Sequence, residues 1–339
     1  TGVNFTGQEE WSLGFTLSNP GRREHTLGYN FTSDLEWDNL HAHSLFYAAY
    51  LPWRHIFQVA GAHVTSEALD NTVTDTNGLS RQLSFNYRIP LQRPDFNPSW
   101  RHYFTFAFDY KSTNTDLIFG GVNIFDNDLE VGQFRAAYEI DVPDDHGLTR
   151  ASIGLVASPG DMFGNNNDAS FDLARIGSEA NYYYFYGELE RLQRLPLDLT
   201  LRLKLRGQAT SDRLTATEQL LAGGYNTVRG FDEAVIRGDS GLISNLELIS
   251  PEFSLAGLFG LTCDDNWNAL VFHDAAVMGI SESFPAESGQ SLQSAGLGLT
   301  CSLGERGSAR MSYGWELSSE GILEPQSGGK FHFGFVLQY

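Results

Sequence analysis

The sequence predicts an all-β fold, a transmembrane antiparallel β-barrel of 16 strands, and three observations support this prediction. Apolar and polar residues alternate with a period of two, as in residues 197–208 (LDLTLRLKLRGQ) and 330–339 (KFHFGFVLQY), which is the period of a β-strand. The alternating segments are about ten residues long, enough for a tilted strand to cross a bilayer, whereas strands of soluble proteins average roughly 5–6 residues. Short and long connections alternate along the chain, as they do in outer-membrane barrels.

Strands follow one another along the whole chain in this interpretation. Further alternating segments are residues 11–17 (WSLGFTL), 79–91 (LSRQLSFNYRIPL) and 104–110 (FTFAFDY). Short connections are predicted at residues 52–55, 92–100, 142–147, 193–196 and 304–307, and long ones at residues 67–78, 111–129, 159–177 and 209–241. The pattern gives about 15 clear strands, and because bacterial single-chain barrels have an even number, we expect one more within residues 1–8, 67–78 or 117–125.

Aromatic residues mark the predicted strand ends, where the interfacial girdles of a membrane barrel lie. They are Trp37, Trp53, Trp100, Tyr103, Tyr182 to Tyr186, Trp315 and Tyr339. An ordinary soluble sandwich also alternates, with its apolar face turned inward, and this alternative stays open.

Composition excludes two classes of protein. The sequence contains no run of about 18 apolar residues, so a helical membrane protein is excluded. The net charge is -20, with 22 Lys and Arg against 42 Asp and Glu. A nucleic-acid partner requires a cationic footprint, and we therefore expect none.

Two short motifs that resemble catalytic or metal sites are interpreted as structural. Gly238-Asp239-Ser240-Gly241 resembles the surroundings of a serine-protease nucleophile, but no histidine stands in a recognisable partner motif. We interpret the segment as a turn into a strand that begins at Leu242. His41 and His43 share one strand face, but a third metal ligand is not evident. We therefore predict no enzyme activity, no metal and no cofactor.

The long connection 209–241 contains Val228-Arg229-Gly230-Phe231, and a later strand contains Phe272-His273-Asp274-Ala275-Ala276. These motifs resemble those of the BamA/TpsB outer-membrane superfamily, in which a VRGF/Y motif on the sixth extracellular loop folds back into the barrel lumen. The resemblance implies that Arg229 binds Asp274, which stands at the aspartate of the family's F-x-D-x-G motif. Ala276 stands where the family has glycine, and its extra methyl group puts close backbone approach in doubt there.

The residues themselves favour the same arrangement. Asp274 and Phe272 share one strand face. If Asp274 points into a polar barrel lumen, Phe272 therefore points there as well. Its aromatic ring needs a packing partner in the lumen, which an inserted loop supplies. An arginine buried there needs a carboxylate partner to offset its desolvation, and Glu247 is a candidate to flank the pair. Phe231 and Phe272 are expected to pack around it. The alternative, in which Arg229 is a solvated loop residue, stays open.

Within the superfamily, the finer resemblance is to two-partner secretion transporters, the TpsB class of haemolysin secretion/activation proteins. The similar segments are, in chain order, Ser18–Arg23, Phe108–Lys111, Ser158–Gly160, Arg194–Pro196, Gly207–Gln208, Thr217–Gly224, the VRGF motif and Gly238–Gly241. The resemblance implies a transporter that secretes an unfolded partner exoprotein across the outer membrane without ATP. Two alternatives stay open, namely an insertase of the BamA or TamA kind and a passive porin.

The resemblance also implies where the protein lies and what it meets. We expect residues 1–339 to form one monomeric barrel domain in the bacterial outer membrane, surrounded by lipids and without the POTRA domains that precede the barrel in this class. The final strand, with Phe331, Phe333, Phe335 and Tyr339, looks like the signal that the outer-membrane assembly machinery reads.

Two cysteines lie near the predicted periplasmic rim. Cys263 comes just before the strand of Asp274, and Cys301 lies at the end of the next strand. Because the periplasm is oxidising, we predict a disulfide between them. The connection that contains Cys263, residues 251–266, is longer than a periplasmic turn is expected to be.

Overall fold

The computed structural model describes residues 10–22, 24–67, 74–119, 122–258, 260, 265–282, 284, 287–304, 307–322 and 328–337. Fifteen strands form one large antiparallel sheet, and two further strands form a small separate sheet. The prediction of an all-β antiparallel fold is therefore confirmed.

The elements are named in chain order. The strands are β1 (Glu10–Ser18), β2 (His25–Asp34), β3 (Leu40–Tyr50), β4 (Ile56–Glu67), β5 (Thr74–Pro90), β6 (Arg101–Phe119), β7 (Val122–Asp144), β8 (Gly147–Pro159), β9 (Asn181–Arg194), β10 (Thr200–Ala209), β11 (Leu220–Ala222), β12 (Ile236–Gly238), β13 (Ser240–Ile249), β14 (Asp265–Gly279), β15 (Gln290–Leu303), β16 (Gly307–Glu320) and β17 (Gly329–Leu337). The helices are α1 (Asp168–Ala174) and α2 (Leu255–Leu258), and short 3-10 turns lie at Pro20–Arg22 and Pro196–Asp198.

Neighbouring strands of the large sheet are also neighbours in the chain, with one exception within the described residues. β10 pairs directly with β13, so that Thr200 lies opposite Ile249 and Gln208 lies opposite Gly241. The chain between these two strands leaves the large sheet and forms the hairpin of β11 and β12. The long connection predicted at residues 209–241 is thus confirmed, and it carries secondary structure of its own.

The long connections expected at residues 67–78 and 111–129 are wrong for the described part of these ranges, because strands occupy residues 74–78, 111–119 and 122–129. β5 begins at Thr74 and β6 runs to Phe119, and these two residues face each other in the ladder. Ladder hydrogen bonds are made by the backbone, so a polar segment such as 111–116 (KSTNTD) continues a strand as well as an apolar one does. The additional strand expected within residues 1–8, 67–78 or 117–125 is not found as a separate strand at residues 74–78, 117–119 or 122–125, and residues 1–8, 68–73 and 120–121 lie outside the described residues.

Helical structure is confined to short connecting segments. α1 lies in the long connection between β8 and β9 and is capped by Asn167, whose side chain accepts a hydrogen bond from the amide of Ser170 at 3.1 Å. α2 lies in the connection between β13 and β14. Within the described ranges, no helix combines the length and the hydropathy that a membrane crossing requires.

The described residues fall into two compact units. The first unit takes its residues from Thr1–Ile140, Ser152–Tyr186 and Ala209–Gln219, and the second from Asp141–Ala151, Gly187–Gln208 and Leu220–Tyr339. Each unit has its own buried apolar cluster. In the first unit the cluster is Leu129, Val131, Val156, Phe171, Ala180, Tyr182, Tyr184 and Leu214. In the second it is Ala222, Val228, Phe231, Ile236, Ile243, Ala276, Met278 and Leu292.

Several strands expose large apolar side chains at alternate positions, and β17 also buries a polar side chain between them. In β17, Phe331, Phe333 and Phe335 are 57%, 55% and 49% exposed, whereas His332 between them is 3% exposed. This is the reverse of a soluble sandwich, which turns its apolar face inward. An exposed apolar row of this kind favours an apolar environment, and the alternation is the one that membrane β-barrels use.

Candidate functional site: a loop held by a buried arginine

The hairpin of β11 and β12 ends in a tight segment, residues 223–235, which we call the loop tip. Gly223 and Gly224 at its start have φ of 115° and 94°, a region that favours glycine because a side chain would be strained there. The Thr227 hydroxyl donates to the carbonyl of Gly223 at 2.7 Å and accepts from its amide at 2.9 Å. These contacts close a turn from which the chain continues into Val228-Arg229-Gly230-Phe231.

Arg229 in the loop tip is bound by two carboxylates of the large sheet. Its Nε and Nη2 donate to Oδ2 and Oδ1 of Asp274 at 2.7 and 2.9 Å, which is the bidentate geometry of strong arginine–carboxylate pairs. Its Nη1 lies 2.8 Å from Oε1 of Glu247, and its backbone amide donates to Oδ2 of Asp274 at 3.1 Å. The structure thus places side by side the three charged residues that the sequence pointed to.

Asp274 accepts a fourth hydrogen bond from the neighbouring strand. Asn245 of β13 lies directly opposite Asp274 of β14, and its Nδ2 donates to Oδ1 of Asp274 at 2.8 Å. The same amide group donates to the carbonyl of Thr227 in the loop tip. Because Asp274 is 0% exposed, its ionised carboxylate is stable only with these hydrogen-bond donors around it.

Burial makes the pairing of these charges necessary. Arg229 and Glu247 are 7% and 9% exposed, and an unpaired charge at such a position is costly. Burial lowers the pKa of the Arg229 guanidinium, but the hydrogen bonds and charge of Asp274, followed by those of Glu247, raise it, and the net direction is upward. Arg202 of β10 lies 3.6 Å from Oε2 of Glu247. Two guanidinium groups therefore face two carboxylates.

Apolar side chains surround the charged group. The guanidinium carbon of Arg229 lies 3.5 Å from the centroid of the Phe272 ring, which is a close cation–π contact. Val228 and Phe231, on either side of Arg229 and Gly230, are both 0% exposed and belong to the buried cluster of the second unit. Ala276 belongs to the same cluster, so the methyl group that distinguishes it from glycine is accommodated in apolar packing.

The last two strands contribute contacts that the sequence did not reveal. His332 of β17 accepts a hydrogen bond at Nε2 from the amide of Gly230 at 3.1 Å. Gly230 has a φ of 94° and lies against Gly314 of β16, where an added Cβ would come within 2.7 Å of the Gly230 nitrogen. The two backbones can approach this closely because neither Gly230 nor Gly314 has a side chain. The alternation of β17 puts His332 on the polar face, but nothing in the sequence connects it to the loop tip.

Two further contacts tie the loop tip to β16 and β17. Lys330 forms an ion pair with Asp232, and the Arg310 guanidinium carbon lies 4.2 Å from the centroid of the Tyr225 ring. Tyr225 also packs on His332, with ring centroids 5.9 Å apart. All of these contacts are non-covalent, so the arrangement is able to hold the loop tip and to release it.

The segment Gly238-Asp239-Ser240-Gly241 has a structural position. The Asp239 amide donates to the carbonyl of Gly279 at 2.9 Å, and its Oδ2 accepts from the amide of Ser281 at 2.9 Å. The strand begins at Ser240 rather than at Leu242 as expected, because pairing with β14 already starts there.

Two other predicted sites fall partly outside the described residues. Cys301 is buried in β15, whereas Cys263 lies outside the described residues, so the disulfide stays a prediction. Tyr339 also lies outside them, and the assembly signal stays a prediction for the same reason.

The chain is similar to one family model and to several solved structures. The model described as haemolysin secretion/activation protein ShlB/FhaC/HecB matches residues 1–263. Arg229 and Glu247 lie inside the matched segment, and Asp274 and His332 lie beyond it. The comparison with curated proteins finds no match.

Several solved structures are similar to the chain in fold. CdiB from Escherichia coli is 16% identical, with a TM-score of 0.82 over 98% of this chain and 60% of that chain. CdiB from Acinetobacter baumannii is 15% identical, with a TM-score of 0.73 over 97% of this chain and 56% of that one. BamA from Haemophilus ducreyi lacking POTRA domains 1–3 is 13% identical, with a TM-score of 0.60 over 96% of this chain and 66% of that one. The chain therefore shares their fold and spans less than two thirds of the length of each CdiB chain.

Proposed function

The chain belongs to the haemolysin secretion/activation family ShlB/FhaC/HecB, and we propose that it secretes an unfolded partner exoprotein across the outer membrane without ATP. It is a protein of the Gram-negative outer membrane. The exposed apolar face of its strands is suited to contact with outer-membrane lipids. The absence of a phosphate-cradling glycine motif from its sequence agrees with transport that uses no nucleotide.

One observation carries the proposal, namely the set of buried contacts that hold the loop tip on the polar face of the sheet. We propose that the sheet closes as a monomeric barrel of 16 strands, an even number as in other bacterial barrels. Residues 209–241 then occupy its lumen at rest, and Arg229 locks them there through Asp274 and Glu247. The passage of a polypeptide requires the loop tip to leave this position.

The polar face offers a surface along which an extended polypeptide can move. In the second unit, cross-strand ion pairs follow one another on this face. They join Arg206 to Glu188 at 2.8 Å, Arg202 to Glu190 at 2.7 Å and Arg150 to Glu190 at 3.0 Å. Because each charge already has a partner, the surface attracts water without binding a passing chain tightly. This property suits transport better than recognition.

The final strand has a separate role in this proposal. Phe331, Phe333 and Phe335 form an exposed aromatic row on β17. We propose that this row, together with Tyr339, is the segment that the outer-membrane assembly machinery binds before the barrel enters the membrane. The same row then faces lipid in the finished protein.

The proposal is tested with Arg229→Ala and with Arg237→Ala as the matched control, since Arg237 lies on the same loop and is exposed. Each variant is recorded in planar lipid bilayers, and secretion of the partner exoprotein is measured in cells. Gel mobility before and after heating shows whether the barrel has folded. We expect Arg229→Ala to change channel opening and lower secretion, and Arg237→Ala to behave like the parent.

Other outcomes support other functions. Unchanged conductance and secretion in a folded Arg229→Ala variant would contradict the lock and favour a passive porin. Normal secretion together with impaired assembly of other outer-membrane proteins would favour the insertase alternative.

A further inference from the structure

We infer that the same loop carries a second anchor, Glu218, which Lys111 and Tyr184 hold in place independently of Arg229. Residues 209–219 form the arm of the loop that leaves β10, and Glu218 lies near the end of this arm. The inference rests on the proposed function in one respect, namely that movement of the loop opens the transporter.

Glu218 is bound by side chains from two different strands. The Lys111 Nζ of β6 donates to Oε1 at 2.6 Å, and the Tyr184 hydroxyl of β9 donates to Oε2 at 3.1 Å. The Glu218 side chain is 1% exposed, and that of Lys111 is 21% exposed. A carboxylate as buried as this one is stable only with a cation and hydrogen-bond donors beside it.

The tyrosine that binds Glu218 is itself fixed by its surroundings. Tyr184 stacks on Tyr182 with an interplanar angle of 4° and ring centroids 6.4 Å apart. The Tyr182 hydroxyl donates to Oε1 of Gln133 at 2.7 Å. Tyr184 therefore offers its hydroxyl from a defined position, and Glu218 meets a preformed partner rather than a flexible one.

The rest of the arm is held to the same unit. Leu214 is 0% exposed and belongs to the apolar cluster of the first unit. The Arg213 Nε donates to the carbonyl of Ile176 at 2.7 Å, and Oδ2 of Asp212 accepts from the amide of Tyr183 at 2.8 Å. The arm thus has a binding surface of its own, and Glu218 is its charged element.

The two anchors share no residue. Glu218 is bound within the first unit by β6 and β9, whereas Arg229 is bound within the second unit by β13 and β14. Eleven positions of chain separate Glu218 from Arg229. Release of the loop tip therefore leaves the arm in place, and full withdrawal of the loop requires both anchors to open. Glu218 is a positioning residue that sets how far the loop moves when Arg229 separates from Asp274 and Glu247.

The test compares Glu218→Gln, Lys111→Met and their double variant with Glu179→Gln, an exposed glutamate of the same unit. Amide hydrogen exchange is followed separately in peptides from residues 209–219 and 223–235. Charge-assisted hydrogen bonds are the strong ones, so we expect exchange in 209–219 to rise at least about tenfold in either single variant. The double variant should add little, since both changes remove one interaction.

Separate peptides make the result specific. We expect exchange in 223–235 to change by less than about threefold in Glu218→Gln, and Arg229→Ala to show the opposite pattern. In bilayers, Glu218→Gln combined with Arg229→Ala should give longer openings than Arg229→Ala alone. Exchange in 209–219 that stays at the parent level in folded Glu218→Gln and Lys111→Met would overturn the inference. Because the exchange measurement involves no secretion, its failure is distinct from a failure of Arg229→Ala to lower secretion, which would overturn the proposed function.

Discussion

Replacing Asp274 with asparagine removes one charge while keeping the size of the side chain. Asp274 accepts four hydrogen bonds, with the Arg229 amide and Nε on Oδ2, and with the Arg229 Nη2 and the Asn245 Nδ2 on Oδ1. An asparagine amide must place its NH₂ group at one of these two oxygen positions. In either orientation that NH₂ group meets two donors and accepts from neither.

The expected magnitude follows from this count. Hydrogen bonds to charged groups contribute about 1.5–3 kcal/mol each, so the loss of two costs about 3 kcal/mol or more. That free energy corresponds to about a 100-fold shift of the loop tip towards its undocked state. Glu247→Gln is the matched control, because its amide can turn its oxygen towards Arg229 Nη1 and keep that hydrogen bond. We expect it to shift the equilibrium less than about tenfold.

Amide hydrogen exchange in peptides from residues 223–235 measures this shift directly, since docked amides exchange through the undocked state. Exchange should accelerate about 100-fold in Asp274→Asn and far less in Glu247→Gln. Heat-dependent gel mobility confirms that both barrels are folded. Equal exchange in Asp274→Asn and the parent would refute the reasoning, and so would equal acceleration in the two variants.

Three further predictions concern the last strands and the cysteines. Gly314→Ala places a methyl carbon 2.7 Å from a backbone nitrogen of the loop tip, so amide exchange in residues 223–235 should rise sharply. Gly279→Ala is the control, because its added methyl group would have its nearest contact at 3.8 Å, and exchange should stay near the parent level. His332→Phe keeps an aromatic ring but removes the acceptor for a loop amide, which should accelerate exchange about tenfold because an unsatisfied buried donor costs about 1–3 kcal/mol; an unchanged rate would contradict this role. Mass spectrometry after alkylation of the unreduced protein should show Cys263 and Cys301 unmodified, and two alkylated thiols would exclude the disulfide.

The fold was largely predictable because apolar and polar side chains alternate along each strand, and this alternation is visible in the sequence itself. His332 between Phe331 and Phe333 already indicates which face is polar, and the structure shows the same division. Strand length was less predictable. Segment 111–116 has the polar composition of a loop, but its backbone pairs as β6 continues to Phe119. Composition describes the environment of a strand, whereas its ends are set by backbone pairing with its neighbour.

The candidate site was predictable only where a motif or a shared strand face linked its parts. Arg229 and Asp274 stand in motifs, and Glu247 is a carboxylate on the strand that precedes Asp274. His332 and Gly314 lie on later strands, and no local pattern marks a histidine that accepts from a loop amide or a glycine that admits a loop backbone. Such contacts depend on the register between strands, which a single sequence does not specify.

The strands that hold the loop tip all come after it in the chain, and this order constrains how the protein matures. The contact between Gly230 and His332 spans 102 positions, and that between Arg229 and Asp274 spans 45. Contacts of such long sequence separation form late in folding, after the intervening chain has been arranged. Arg229 is synthesised before Glu247 and Asp274, the carboxylates that bind it. Complete capture of the loop tip is therefore among the last steps of biogenesis, and a chain that stalls before β17 lacks the contacts of Lys330 and His332 with the loop tip.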